Sequence, residues 1–248
     1  MNRFQAFGRH LSGSLCAALL SATLVFLVWY PGPLALASGV RDIFLLLLLI
    51  DVILGPVITF IVFNPQKKEL KRDLVMVVMV QVVALLYGLH AVYVARPVYV
   101  VFSVDRFDMV FANDLTDDKL AKATNTDYQS LPLLGPKTIA ARQPNDTKAR
   151  NELLFSAISG GDDLSQLPQY YESYSAHQED VAKRVNDLAL LKKFNADSAA
   201  VEALRSKYSA KKINAGYLPL RGKTKDLSVV LDRNTGEVLE IVDLRPWT

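Results

Sequence analysis

Two apolar runs frame a short basic connection. The first is Ile43-Phe44-Leu45-Leu46-Leu47-Leu48-Leu49-Ile50-Asp51-Val52-Ile53-Leu54-Gly55-Pro56-Val57-Ile58-Thr59-Phe60-Ile61-Val62-Phe63. The connection is Asn64-Pro65-Gln66-Lys67-Lys68-Glu69-Leu70-Lys71-Arg72-Asp73, and the second run extends from Leu74 to Val94 with Gln81 and His90 as polar members. Each run is about 21 residues, enough for an α-helix to cross a hydrocarbon core of ~30 Å. Ten connecting residues force the two helices into an antiparallel hairpin.

Upstream, Leu11 to Tyr30 includes Ser12, Ser14, Ser21 and Thr23 but no charge, and it reads as a first spanning helix. The competing reading is a cleaved signal peptide, with Arg3 and Arg9 as its basic region and Ala35-Leu36-Ala37 imitating a cleavage site. The run exceeds the ~7–15 apolar residues of such peptides. A lipoprotein signal fits less well, because the bulky Leu15 directly precedes Cys16. Lys and Arg in short flanks mark the cytoplasmic side. Arg3 and Arg9 precede the first run, Lys67, Lys68, Lys71 and Arg72 lie between the second and third, and only Arg41 lies between the first and second. The N-terminus and the second connection are thus expected in the cytoplasm, and residues 97–248 outside. Trp29, Tyr30 and Tyr93 fall at outer helix ends, where amphipathic rings suit the headgroup level.

The composition agrees with this split. Residues 1–96 hold eight Lys+Arg and four Asp+Glu, a net of +4, while 97–248 hold twenty and twenty-one, a net of −1. The C-terminal part therefore offers no phosphate-tracking surface, and nucleic acid is set aside as a partner. One cysteine, Cys16, excludes an intramolecular disulfide framework, and its apolar setting marks it as a packing residue. His10, His90 and His177 lack ligand spacing, so neither a metal site nor a cofactor is expected.

Arg96-Pro97 ends the third helix, and Val98-Tyr99-Val100-Val101-Phe102-Ser103-Val104 reads as a buried strand with no flexible linker before it. Beyond Asp114, Pro132, Gly135, Pro136 and Pro144 predict an irregular stretch. Asn145-Asp146 caps a predicted helix carrying Leu153, Leu154, Phe155 and Ile158, stopped at Gly160-Gly161. Ser175-Ala176-His177-Gln178 matches a capping box, with Val181, Val185, Leu188 and Leu191 as one helical stripe behind it. A shorter helix is expected over Ala199 to Tyr208. Leu227 to Leu231 and Glu237 to Val242, separated by Asp232-Arg233-Asn234-Thr235-Gly236, read as a hairpin able to join the Val98 strand. The fold class is therefore a membrane protein, with three transmembrane α-helices in residues 1–96 and an exported α+β domain of one core in 97–248.

A G-x-S-x-G elbow, H-E-x-x-H, Walker A and a dinucleotide fingerprint are all missing from the sequence. His177 reads as a solvated helix start, and Gly160-Gly161-Asp162-Asp163 as a helix-stop loop lacking the rest of an EF-hand. Asp105-Arg106-Phe107-Asp108 is either a salt-bridged bend or a partner-contact site, so Asp105, Arg106 and Asp108 are candidates. Arg96 either snorkels to headgroups or pairs with Asp105. A carboxylate at mid-membrane costs ~2.5–3.5 kcal/mol, so Asp51 needs an explanation. Hairpin register sets it near Leu86-Tyr87, with Tyr87 or His90 as structural partner; contact with a partner helix and proton transfer are the alternatives. The same register puts Gln81 beside Pro56, where its amide would serve the Val52 carbonyl freed by the missing proline N–H. Gly13, Ser14 and Ala17, with Ser12, Ala18 and Ser21, permit close helix approach, either to this chain's own hairpin or to another helix.

The residues Asn64-Pro65-Gln66-Lys67-Lys68-Glu69-Leu70, Asp73-Leu74, Gln81, Ala84-Leu85-Leu86-Tyr87-Gly88-Leu89, Ala95-Arg96-Pro97-Val98-Tyr99, Val104-Asp105-Arg106-Phe107 and Asn113-Asp114 carry a family likeness. In these the chain resembles the TfpX/TfpZ-type type IV pilin accessory proteins, most sharply over 64–114 and loosely elsewhere. The resemblance implies a bacterial inner-membrane protein with a periplasmic α+β domain, encoded with a pilin, that assists assembly of that cognate type IV pilin without being an enzyme. Lipid bilayer and pilin would then be its partners. A membrane-tethered envelope enzyme, with an acid/base pair among Asp105, Asp108 and Asp114, and an extracytoplasmic sensor subunit remain as alternatives from other classes.

Overall fold

The computed structural model describes residues 2–196 and 198–247. It has three helices long and apolar enough to cross a bilayer, followed by a mixed α/β sheet domain. The first, α1 (Arg3–Thr23), begins well before Leu11 because Asn2 and Gln5 cap it reciprocally. The Asn2 side chain accepts the Gln5 N–H at 2.9 Å and the Gln5 side chain accepts the Asn2 N–H at 3.0 Å. It continues as a π-helical segment, Leu24–Trp29, closed by the Tyr30 N–H bonding the Val25 carbonyl. A one-turn helix α2 (Leu34–Ala37) precedes α3 (Val40–Val62) and α4 (Leu70–Val94). Helix α4 thus takes in Leu70 to Asp73, which the sequence reading assigned to the connection.

Helices α1 and α4 both pack on α3. At one end Arg3 Nε donates to the Phe63 carbonyl at 2.8 Å, His10 Nδ1 meets Thr59 Oγ1 at 2.5 Å, and Phe4 and Phe7 stack edgewise on Phe60. At the other, the buried Tyr30 donates its hydroxyl to the Val92 carbonyl at 2.9 Å, and the rings of Trp29 and Tyr93 lie 5.1 Å apart. Cys16 is exposed on the outer face of α1, which corrects the expectation that it packs inside.

The domain is built on β1 (Pro97–Ser103), β2 (Arg106–Phe111), β3 (Lys137–Ala141), β4 (Tyr171–Ser173), β5 (Asn186–Asp187), β6 (Ala215–Arg221), β7 (Leu227–Asp232) and β8 (Val238–Val242). Its sheet order is β4-β3-β1-β2-β6-β7-β8, with β5 on β6. Pairs β1–β3 and β2–β6 are parallel and the rest antiparallel. Every residue of β1 is buried, as its unbroken apolar run demands of a central strand. The β7–β8 hairpin forms as expected, but β2 and β6 separate it from β1.

The expected single core is divided by the sheet. On one face Phe102, Phe107, Met109, Leu220 and Val229 pack with Val181, Val185, and with Leu34 and Ala37 of α2. On the other, Tyr99, Val101 and Ile139 pack with Tyr128 and Tyr171. Further along, Tyr217 and Val230 pack with Leu188, Leu191 and Val201. The predicted stripe therefore does not lie on one helix. Helix α5 is short (Asp117–Leu120), and α7 ends after Gln178–Ala182, so Val181 and Val185 face one side of the sheet while Leu188 and Leu191 face the other. Helix α6 (Thr147–Ile158) and α8 (Ser198–Ala210) occur where expected. On α6, Leu153 packs on the core whereas Leu154, Phe155 and Ile158 are exposed.

Candidate partner-binding site

Away from the Trp29–Tyr93 contact, a groove of about 450 Å³ lies between α1 and α4, floored by α3. Gly13 and Ala17 line it from α1, Val78 and Val82 from α4, with Asp51 and Gln81 at its floor. Ser14 also lines the groove, although it is largely covered. Ser14, Ala18 and Ser21 are buried within the helix bundle. Gly13 is exposed, with no atom within 4 Å of where a Cβ would stand.

Asp51 does not meet Tyr87 or His90, both of which point outward from the bundle. Its partner is Gln81, whose Nε2 donates to the Asp51 carbonyl at 2.7 Å and to Asp51 Oδ1 at 3.1 Å. The Val52 carbonyl, expected to receive this amide, does not. The cause is Gly55. A Cβ there would lie 1.9 Å from Gln81 Oε1, so its absence lets the amide lie against α3 and reach the Asp51 carbonyl, one residue beyond Val52. Gln81 Oε1 is left buried with no hydrogen-bond partner among the described residues. The acceptor that the groove floor presents is the half-buried Asp51 carboxylate, which suits a donor on an incoming helix.

Above the bundle, two joints hold the sheet domain. In the first, Lys223 and Thr224 both donate backbone N–H to the Ala37 carbonyl at 2.9 Å, and Thr224 Oγ1 donates to the Leu36 carbonyl at 3.0 Å. Gly39, at φ +75°, fits beneath the Thr224 methyl. The second joint is Arg96. It neither snorkels nor pairs with Asp105: 3% exposed, it donates to the carbonyls of Tyr93 at 2.8 Å and Pro132 at 3.0 Å, with its guanidinium 3.8 Å from the Tyr93 ring centre.

The Asp105-Arg106-Phe107-Asp108 segment runs from the two-residue β1–β2 turn, where Val104 has φ +59°, into the start of β2. Asp108 is 2% exposed, and its Oδ1 receives Arg221 Nε at 2.8 Å and Arg106 Nε at 3.2 Å. This ion cluster seals the parallel β2–β6 seam, where Asp108 is in register with Arg221. Asp108 thus belongs to internal packing, and Asp105 is the most exposed member of the trio. Burial pushes the Asp108 carboxyl up, against the pull of Arg221 and Arg106. Asp163 completes the cluster, accepting from Arg221 Nη2 at 2.6 Å. Burial alone would raise Asp163, but the Arg221 hydrogen bond, the Leu164 N–H and the charges of Arg221 and Arg106 outweigh it and hold the carboxyl below its usual range. His177 is half-buried against Glu172 at 2.6 Å and is not the freely solvated helix start expected.

Helices long enough to span, a lipid-facing groove with a polar floor and a firmly joined sheet domain together define a polytopic membrane protein carrying an α+β head. The chain belongs to the family of fimbrial assembly proteins. Two fimbrial assembly proteins of Dichelobacter nodosus, of serogroups I and E1, are each 34% identical to it over 232 residues, covering 92% of this chain and 90% of theirs. A third, of serogroups C1 and C2, is 42% identical over 118 residues, covering 47% of this chain and 90% of its own. The family model described as fimbrial assembly protein FimB matches residues 1–39, which comprise α1, the π-helical segment and α2. No solved structure matches.

Proposed function

We propose that this chain is a non-enzymatic factor of a bacterial inner membrane that assists assembly of its cognate type IV pilin by binding it there. The N-terminus and the α3–α4 connection face the cytoplasm and the α+β domain the periplasm. Family membership supports a role in fimbrial assembly. The observation that supports direct binding is the α1–α4 groove, open to lipid below a domain fixed by Ala37 and Arg96. A membrane-resident pilin is a single apolar helix with an exported head, so it would enter the groove beside Gly13 and Ala17, present a donor to Asp51, and bring its head alongside Asp105 and Arg106.

Filling the groove tests this. Gly13→Leu adds bulk where no atom lies close, and Val82→Phe enlarges an exposed side chain that lines the groove from α4. In cells lacking the native gene, either variant should accumulate normally yet restore few surface pili and recover less pilin on purification. Full piliation and full pilin recovery from both would overturn the assignment of the groove.

A further inference from the structure

Between the 3-10 turn at Thr126–Tyr128 and β3 runs Leu131-Pro132-Leu133-Leu134-Gly135-Pro136. Leu131 packs toward the core, but Leu133 and Leu134 are 69% and 77% exposed. Adjacent exposed leucines on a loop are costly in water and call for a covering surface.

Two contacts fix the height of this loop. Arg96 spans from the Tyr93 carbonyl, in the last turn of α4, to the Pro132 carbonyl. Gly135, at φ +53°, lies against the end of the first helix, where a Cβ would stand 3.1 Å from the Val28 carbonyl oxygen. Val28 and Tyr93 are inside the spanning segments Arg3–Trp29 and Leu70–Val94. A headgroup region extends ~5–8 Å beyond the hydrocarbon on each side, so a loop touching both residues sits within it. Trp29 and Tyr93 stack at the same level, as interfacial rings do, and the exposed Lys137 follows as a cation suited to anionic headgroups.

We infer that Leu133 and Leu134 insert into the leaflet at this end of the helices, forming a monotopic anchor additional to the three spanning helices. The partner is the lipid surface itself. The loop joins β3 directly, so the anchor would set the tilt of the sheet over the membrane.

The full-length chain carrying Cys16→Ser and either Leu133→Cys or Leu134→Cys, labelled with an environment-sensitive fluorophore, tests this in vesicles of phosphatidylethanolamine and phosphatidylglycerol. Both positions should emit to the blue of a label at Ser209→Cys, and should lose most of that emission when the vesicles contain lipids spin-labelled high on the acyl chain. Emission matching the Ser209 control, unquenched by those lipids, would overturn the inference. Shielding that arises only when pilin is reconstituted alongside would also overturn it, assigning the leucines to a protein contact. Because the vesicles contain no pilin in the first arm, its outcome is independent of the groove assignment.

Discussion

Gly55 and Gln81 act as a pair, since the amide occupies the space that a Cβ at Gly55 would fill. Gly55→Ala should expel the amide and break its two bonds to Asp51, reproducing the loss caused by Gln81→Leu. Interhelical hydrogen bonds in membranes average ~0.6 kcal/mol and reach ~1.7 kcal/mol, so each variant should destabilise within that range in detergent. The double variant should cost little more than either single one; additive losses in a thermal double-mutant cycle would refute the coupling. Asp51→Asn preserves an oxygen that accepts from Gln81 and should leave pilus assembly near normal, whereas Asp51→Leu should impair it. Equal impairment by Asn at normal abundance would show that ionisation matters. In the ion cluster, the Asp163 carboxyl is held low in the folded state, so its contribution is present above the ordinary aspartate range and is lost as pH falls below ~4. The melting temperature of the α+β domain should accordingly fall between pH 6 and pH 3, and fall less in Asp163→Asn; parallel pH curves would contradict that assignment.

Helix α2 joins two parts of the molecule that the chain order keeps apart. Leu34 is 3% exposed among sheet residues contributed far downstream, so Leu34→Ala should destabilise the α+β domain by ~2–5 kcal/mol despite lying between membrane helices. Limited proteolysis in detergent reads this directly, and an unchanged cleavage rate would make α2 a mere connector. Such non-local packing also explains which elements were legible in the sequence. The three spanning helices follow from run length, and β1, β7 and β8 from continuous β-branched sequence bounded by turn residues. Strands β2, β3 and β6 were not legible: β2 carries Arg106 and Asp108 whose charges cancel across the seam, β3 hides in a Pro- and Gly-rich stretch, and β6 includes Gly216 and Pro219. The stripe from Val181 to Leu191 has a helical period, yet tertiary packing divides it around the sheet edge. Within the candidate site, Gly13, Ala17 and Asp51 were found from side-chain size and from the cost of charge in lipid. The burial of Arg96 and Asp108 was hidden, because their partners Pro132 and Arg221 are distant in sequence.

At the scale of the molecule, the bundle and the sheet domain are joined at Ala37 and Arg96, so under the proposed function a pilin helix held in the groove would have its head held too. The orientation of the chain rests on the basic residues of the α3–α4 connection. In a Cys16→Ser background on intact spheroplasts, an impermeant thiol reagent should label a cysteine at Ser209 and spare one at Gln66, both exposed positions; the reverse pattern would invert the topology. Binding itself is tested most directly by photocrosslinking in living, piliated cells. A photoreactive residue at Gly13 faces the groove, one at Asp105 faces outward from the β1–β2 turn, and one at Leu20 faces lipid on α1 outside the groove. The account predicts pilin adducts from Gly13 and Asp105 and none from Leu20. With both proteins at normal levels, no adduct from either Gly13 or Asp105, or equal adducts from all three, would contradict it.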